Sequence, residues 1–185
     1  MIKFDELNPF DGKFEHIEPE EVLCLMDNIK YGWLDSEGNY YDSLNKDNCS
    51  NYKLLEAKDI IENGYGTCWD QVEVERFYLK NNKINIQTLF MFYEDGVDDE
   101  SHTFLTYQKD NKFYWFEHAW NDYKGIHEYE SFDELICDVE SKFLNLIGSR
   151  SDKSKLHYFI YNKPKVGLTV DEFYEFCKSG VEIKL

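Results

Sequence analysis

The sequence predicts an α+β protein, with helices gathered first and an antiparallel meander after them. Three observations carry this reading. Helix-suited segments dominate before residue 82, and from Ile84 the chain turns to β-formers in three consecutive runs, 84–93, 103–107 and 113–119. A helix, a strand and a final helix then close the pattern between 132 and 178.

Each element has a local cause. Glu18-Pro19-Glu20-Glu21 places proline and acids where a first helical turn tolerates them, so a helix from about 19 to 29 is expected. The polar, Asn-rich stretch from about 35 to 50 reads as loop. A short helix over 54–61 is ended by Asn63-Gly64, and a longer one starts almost at once at Thr67. The strands over 103–108 and 113–119 form a hairpin if Asp110-Asn111 makes a two-residue turn. A helix over 132–146, a strand over 156–161 and a helix over 170–178 capped by Thr169 follow.

The chain has 185 residues, is 42% hydrophobic and 17% aromatic, and shows no repeat or linker, so one domain with a substantial core is expected over 1–185. A net charge of -17, with no cluster of Lys and Arg, argues against nucleic acid as a partner. The acidic run Glu94, Asp95, Asp98, Asp99 and Glu100 lacks the alternation of an EF-hand and reads as a solvated loop. No signal-peptide pattern or membrane span is visible, which gives a soluble, cytoplasmic expectation with no membrane partner. Five cysteines, Cys24, Cys49, Cys68, Cys137 and Cys177, are odd in number and lack any CxxC pair. They are expected as reduced thiols, with neither a disulfide framework nor a metal site. Cys24, Cys137 and Cys177 fall in apolar helical patterns and read as small core residues, and Cys49 sits in a polar loop.

Cys68 is different. In Gly64-Tyr65-Gly66-Thr67-Cys68-Trp69-Asp70-Gln71, Thr67 and Asp70 are spaced as a capping box, making Cys68 the first helical residue. A thiol there meets unpaired N–H groups and the positive end of the helix dipole, which favour thiolate. Asp70 must then serve the cap and not face the sulfur. A thiolate needs a base, and His102 and His118 are the histidines in the following strands. With an Asp110-Asn111 turn, Phe104 faces Glu117, and His102 and Glu117 lie on one face of the sheet as diagonal neighbours. His118 then points to the other face; an odd-length loop or a bulge would reverse this and favour His118. Asp122 is the alternative acid. Glu117 could instead pair with Arg76, and His16, His127 and His157 read as structural or solvated.

These residues resemble the transglutaminase-like superfamily of papain-type folds. Tyr65-Gly66-Thr67-Cys68-Trp69 looks like that family's nucleophile motif, and the order Cys68, His102, Glu117 is similar to the family's order of Cys, His and acid. Cys68 to Arg76 and Phe116-Glu117-His118-Ala119-Trp120 look like a group of uncharacterised bacterial members, over about residues 50–165. The resemblance implies a core in which the Cys68 helix packs on an antiparallel sheet bearing His102 and Glu117. Glu117 stands where the family commonly has Asp, and the chain is too short for the calcium-binding β-domains of large crosslinking enzymes.

The function expected from the constellation is acyl transfer on a peptide or carboxamide through a Cys68 thioester, hydrolytic in outcome, with a peptide or protein substrate and no cofactor. Trp69, Gln71 or Trp33 would supply the second oxyanion donor or line the substrate groove. The alternative, from another class, is a non-catalytic module binding an extended peptide with Trp33, Trp69, Trp115 and Trp120. A metal hydrolase is a distant third, since no HExxH spacing exists.

Overall fold

The structure, a computed structural model, describes residues 17–45, 47–82, 84–96 and 100–184. Pro19 opens α1 (Pro19–Met26), where the Glu21 carboxylate accepts from the Glu18 N–H at 2.9 Å. The helix stops three residues before the expected end, because the chain turns into β1 (Lys30–Tyr31). β2 (Trp33–Leu34) forms a small hairpin with β3 (Tyr40–Tyr41), which lies inside the expected loop. Leu54 does not begin a helix, because its backbone exchanges hydrogen bonds with Gly167 and Leu168. α2 (Ala57–Asn63) starts later and ends on Gly64 at φ 71°. β4 (Tyr65–Gly66) runs parallel to β1 and leads directly into α3 (Cys68–Asn81).

The larger sheet is antiparallel and six-stranded, and with five α-helices it makes the described chain α+β. Its members are β5 (Asn85–Tyr93), β6 (Glu100–Lys109), β7 (Lys112–Glu117), β8 (Gly125–Tyr129), β9 (Leu156–Tyr161) and β10 (Val181–Ile183). Their order across the sheet is β10-β9-β5-β6-β7-β8. α4 (Phe132–Ile147) follows β8, and α5 (Val170–Lys178) lies between β9 and β10, with Thr169 as its N-cap.

Both faces of this sheet are covered, which is why 88–93 is apolar almost without interruption. Leu89, Met91, Phe104 and Trp115 pack with Leu135, Val139 and Phe143 of α4. Leu105, Tyr107 and Phe116 pack with Val74, Tyr78 and Leu79 of α3 and with Val22 and Met26 of α1. Phe90 and Phe92 pack with Trp69, Val72 and Phe173, joining α3 to α5. Among the described residues no helix is long and apolar enough to cross a membrane.

The β6–β7 turn sets the register on which the site depends. Asp110 at φ 51° and Asn111 at φ 63° are both left-handed, the geometry of a two-residue I′ turn. Leu105 therefore faces Phe116 and Lys109 faces Lys112. β7 stops at Glu117 instead of 119, because the Glu117 carboxylate turns to accept the Trp120 N–H at 2.7 Å. β8, β10 and the small strands carry too few residues for a periodic pattern, and none was expected from sequence.

Placing a β-branched residue in this turn tests its role. Asn111→Val is expected to cost about 1–2 kcal/mol in urea unfolding, because each left-handed L-residue pays roughly that much. Asn111→Gly is expected to leave stability equal or higher.

Candidate active site

The site is built from the start of α3. The Asp70 carboxylate accepts from both the N–H and the hydroxyl of Thr67, each at 2.9 Å, and from the Tyr52 hydroxyl at 2.9 Å. Its oxygens are thus spent on the cap and on Tyr52. Burial raises the Asp70 pKa to about 6 against these hydrogen bonds. Gly66 leaves no slack, since a Cβ there would lie 3.0 Å from Asp70 Cβ and 3.1 Å from Ile60 Cγ2. Its carbonyl accepts from Gln71 Nε2 at 2.8 Å, so the loop before Cys68 is tied back onto its own helix. Cys68 is 6% exposed and packs among Phe90 and Phe92, whose β6 partners Thr103 and Ser101 flank His102.

His102 stands opposite Met91 on β6, and its Nε2 lies 2.7 Å from Glu117 Oε2 across the β6–β7 pair. With Nε2 taken by Glu117, Nδ1 is the ring nitrogen left over, and the Cys68 side chain is near enough to be among the groups that raise the His102 pKa. Trp120, anchored by its N–H on Glu117 Oε1, sets its indole edge-on at 5.1 Å from the His102 ring. Burial alone would lower the His102 pKa; the Glu117 charge and the hydrogen bonds to Cys68 and Glu117 outweigh it and raise it to about 10. The surroundings of the ring thus favour its protonated form.

A third group meets the sulfur. The Tyr31 hydroxyl lies near Cys68, whose charge, followed by burial, raises its pKa. The residue as a whole is 44% exposed. Tyr31 is carried there by the backbone, because β1 pairs with β4 and sets Tyr31 beside Gly66. Gly32, at φ 127° and with Tyr41 O only 2.6 Å from a would-be Cβ, turns the chain sharply after it.

The other sequence candidates lie elsewhere. His118 faces α3, with Nδ1 2.6 Å from Gln71 Oε1 and Nε2 3.5 Å from Asp27 Oδ1. Gln71 is thereby occupied at both ends, on His118 and on Gly66. Trp33 donates its Nε1–H to Ser43 O at 3.1 Å and stacks on Tyr41 at 4.4 Å. Trp69 packs flat on Phe173 at 4.4 Å and lines the groove beside Cys68. Asp122 is exposed in a 3₁₀ turn. Arg76 pairs with Glu73 at 3.1 Å and donates to Thr88 at 2.6 Å, so it is not the partner of Glu117. The four tryptophans do not assemble one groove: Trp115 is fully buried against α4, while Trp33 and Trp69 belong to the α3–α5 cluster. Cys24 and Cys137 are exposed and not core, because each lies on the outer side of its helix; none of the five cysteines is in a disulfide. His127 bonds Tyr123 O and His157 meets Glu182, while His16, Asp98 and Asp99 lie outside the described residues.

A groove of about 550 Å³ opens over Cys68, bordered by Tyr31, Trp69, Phe92, Ser101 and Tyr174. A smaller pocket of about 240 Å³ near Arg76 and Lys163 contains no nucleophile. Among the described residues no group of three or more His, Cys, Asp or Glu is placed to hold a metal ion. No protein-family model matches the chain, and no curated protein matches it.

Glu75 lies two turns along α3 from Cys68, buried, with Oε2 lacking a hydrogen-bond partner. Burial, then the Glu117 charge, push its pKa well above the usual carboxylate value. Above pH ~4.5 the unfolded carboxyl ionises while the folded one keeps its proton, so the cost to stability grows by ~1.4 kcal/mol per pH unit until the folded group also ionises. Glu75→Met is therefore expected to raise the thermal midpoint at pH 8 by more than at pH 5. An equal gain at both pH values would contradict the burial argument.

Proposed function

We propose that this chain is a cysteine-dependent acyl-transfer enzyme with a transglutaminase-like, papain-type core, acting on peptide or carboxamide bonds and hydrolytic in outcome. The observation that carries the reading is the His102 imidazole, held by the Glu117 carboxylate at 2.7 Å and close enough to Cys68 for the thiol to help raise its pKa. A buried helix N-terminus behind the sulfur and a raised imidazole pKa support a thiolate–imidazolium pair as the resting nucleophile.

In the proposed cycle the Cys68 thiolate adds to the substrate carbonyl, and the developing oxyanion accepts from the Cys68 N–H and the Tyr31 hydroxyl. Tyr31 takes the place that the sequence left to Trp69, Gln71 or Trp33, two of which are tied up in other hydrogen bonds. His102 gives its proton to the departing amine as the C–N bond breaks, leaving a Cys68 thioester. Neutral His102 then takes a proton from water, whose oxygen attacks the thioester, and collapse returns the thiolate, the imidazolium and a carboxylic acid. Glu117 positions His102 by holding Nε2. The exposed, polar-lined groove admits water, which favours hydrolysis over transfer to an amine.

p-Nitrophenyl acetate tests the cycle without a natural substrate. Wild type is expected to release a burst of one nitrophenolate per Cys68; Cys68→Ala should show none. His102→Ala should slow the burst by about 10²-fold or more, as removal of a general base does. A burst that survives Cys68→Ala would reject the proposal. Tyr31→Phe separates two roles, because alkylation by iodoacetamide forms no oxyanion. The burst should fall about 10²–10³-fold, the range for one lost oxyanion donor, with the Cys68 iodoacetamide rate nearly unchanged. A strong rise in alkylation would instead make Tyr31 a cover over the sulfur.

A further inference from the structure

The cavity of about 240 Å³ away from Cys68 opens between α3, the start of α2 and the segment that follows β9. Its walls are tied together, because the Leu54 N–H donates to Leu168 O at 2.9 Å and the Gly167 N–H to Leu54 O at 2.8 Å. Three cations line it: Arg76 and Lys80 from α3, and Lys163 from the segment after β9. Glu56 and Glu73 are the acids on the same lining, and Glu56 is exposed. Burial, working against the Arg76 charge, raises the Glu73 pKa to about 7, so near neutrality Glu73 offsets only part of one positive charge.

Arg76 is 8% exposed, and its guanidinium is fixed in place. Nε donates to Glu73 Oε2 at 3.1 Å and Oε1 at 3.3 Å, Nη2 donates to Thr88 Oγ1 at 2.6 Å, and the guanidinium carbon lies 5.4 Å from the Tyr161 ring centroid. Nη1 makes no hydrogen bond among the described residues, so this buried side chain keeps one nitrogen for the cavity that it lines. Buried polar groups are normally satisfied, and an unsatisfied one on a cavity wall points to a ligand. Lys80 and Lys163 are exposed and form no ion pair among the described residues. Beside these donors Leu55, Phe77, Pro164 and Val166 supply apolar surface, and Val166 is 47% exposed.

We infer that this cavity binds a phosphate monoester with a small apolar body, its phosphate held by Arg76, Lys80 and Lys163 and its body against Phe77 and Val166. Three cationic donors from two chain segments suit the three oxygens of a tetrahedral phosphate dianion better than the two oxygens of a planar carboxylate. Cavities for drug-sized ligands usually measure roughly 300–1,000 Å³, so the ester is smaller than these. Cys68 lines a different cavity, and the phosphate site stands whether or not Cys68 performs acyl transfer.

Calorimetric titration of the full chain with phenyl phosphate tests the site. Wild type is expected to bind one equivalent, and Lys80→Met/Lys163→Met to bind at least about tenfold more weakly, the size of one charge-assisted hydrogen bond. Lys109→Met/Lys184→Met removes the same charge from exposed positions outside the cavity and should leave the affinity within about twofold. Benzoate lacks the third oxygen and the second charge, and inorganic phosphate lacks the ring; each should bind about tenfold more weakly than phenyl phosphate. If the Lys80/Lys163 variant fails to fold, the wild-type chain still decides, because its Arg76 guanidinium ¹⁵N signal should shift when phenyl phosphate is added. No saturable binding, an equal loss in both double variants, or an Arg76 signal that stays still while phenyl phosphate binds would overturn the inference. Benzoate bound as tightly as phenyl phosphate would overturn the choice of phosphate, and inorganic phosphate bound as tightly would overturn the apolar body.

Discussion

The site depends on one hydrogen bond made across a hairpin, from His102 to Glu117 at 2.7 Å. It exists because Asp110 and Asn111 both take left-handed backbone angles, which fixes β6 on β7 without a bulge. A slip of one residue would turn His102 away from Glu117 and bring His118 to that face. The same carboxylate holds the Trp120 N–H, so one acid ends the strand, seats the indole against the imidazole and fixes the imidazole itself. The sulfur is delivered independently, by a helix whose first turn is pinned through Asp70 and Gly66.

Gathering these groups costs stability. Asp70, Glu73, Glu75, His102 and Glu117 are all buried, and burial of an ionisable group is offset only where partners are supplied. Asp70 has Thr67 and Tyr52, Glu73 has Arg76, and Glu117 has His102 and Trp120. Glu73 still titrates near 7 because burial outweighs the Arg76 charge. Glu75 lacks such a partner for Oε2 and keeps its proton. The large apolar clusters on both sheet faces supply the stability that this polar seam withholds.

What the sequence disclosed was local or periodic. The Thr67–Asp70 spacing marks the start of α3, Gly64 marks the end of α2, and Asp110-Asn111 specifies the hairpin register and, with it, which side of the sheet His102 and Glu117 share. What it hid was tertiary. Tyr31 reaches Cys68 through a two-residue parallel pairing 35 residues upstream of Gly66, too short to leave a pattern, with only Gly32 as a local sign. Gln71 reads as a free amide beside the nucleophile until His118 and Gly66 claim both its ends. Cys24 and Cys137 sit in apolar stretches of sequence yet face outward, because a helix buries only the stripe turned to the core.

The thiol–imidazole–carboxylate contact is most directly read from the protonation of His102 itself. A side-chain ¹H–¹⁵N NMR titration should find the His102 ring doubly protonated through neutral pH, releasing its proton near pH 10. In Cys68→Ala the release should move to lower pH, because one of the groups that favour the imidazolium is gone. A His102 that titrates at or below the ordinary imidazole pH of about 6.5, unaltered by loss of the thiol, would contradict the account.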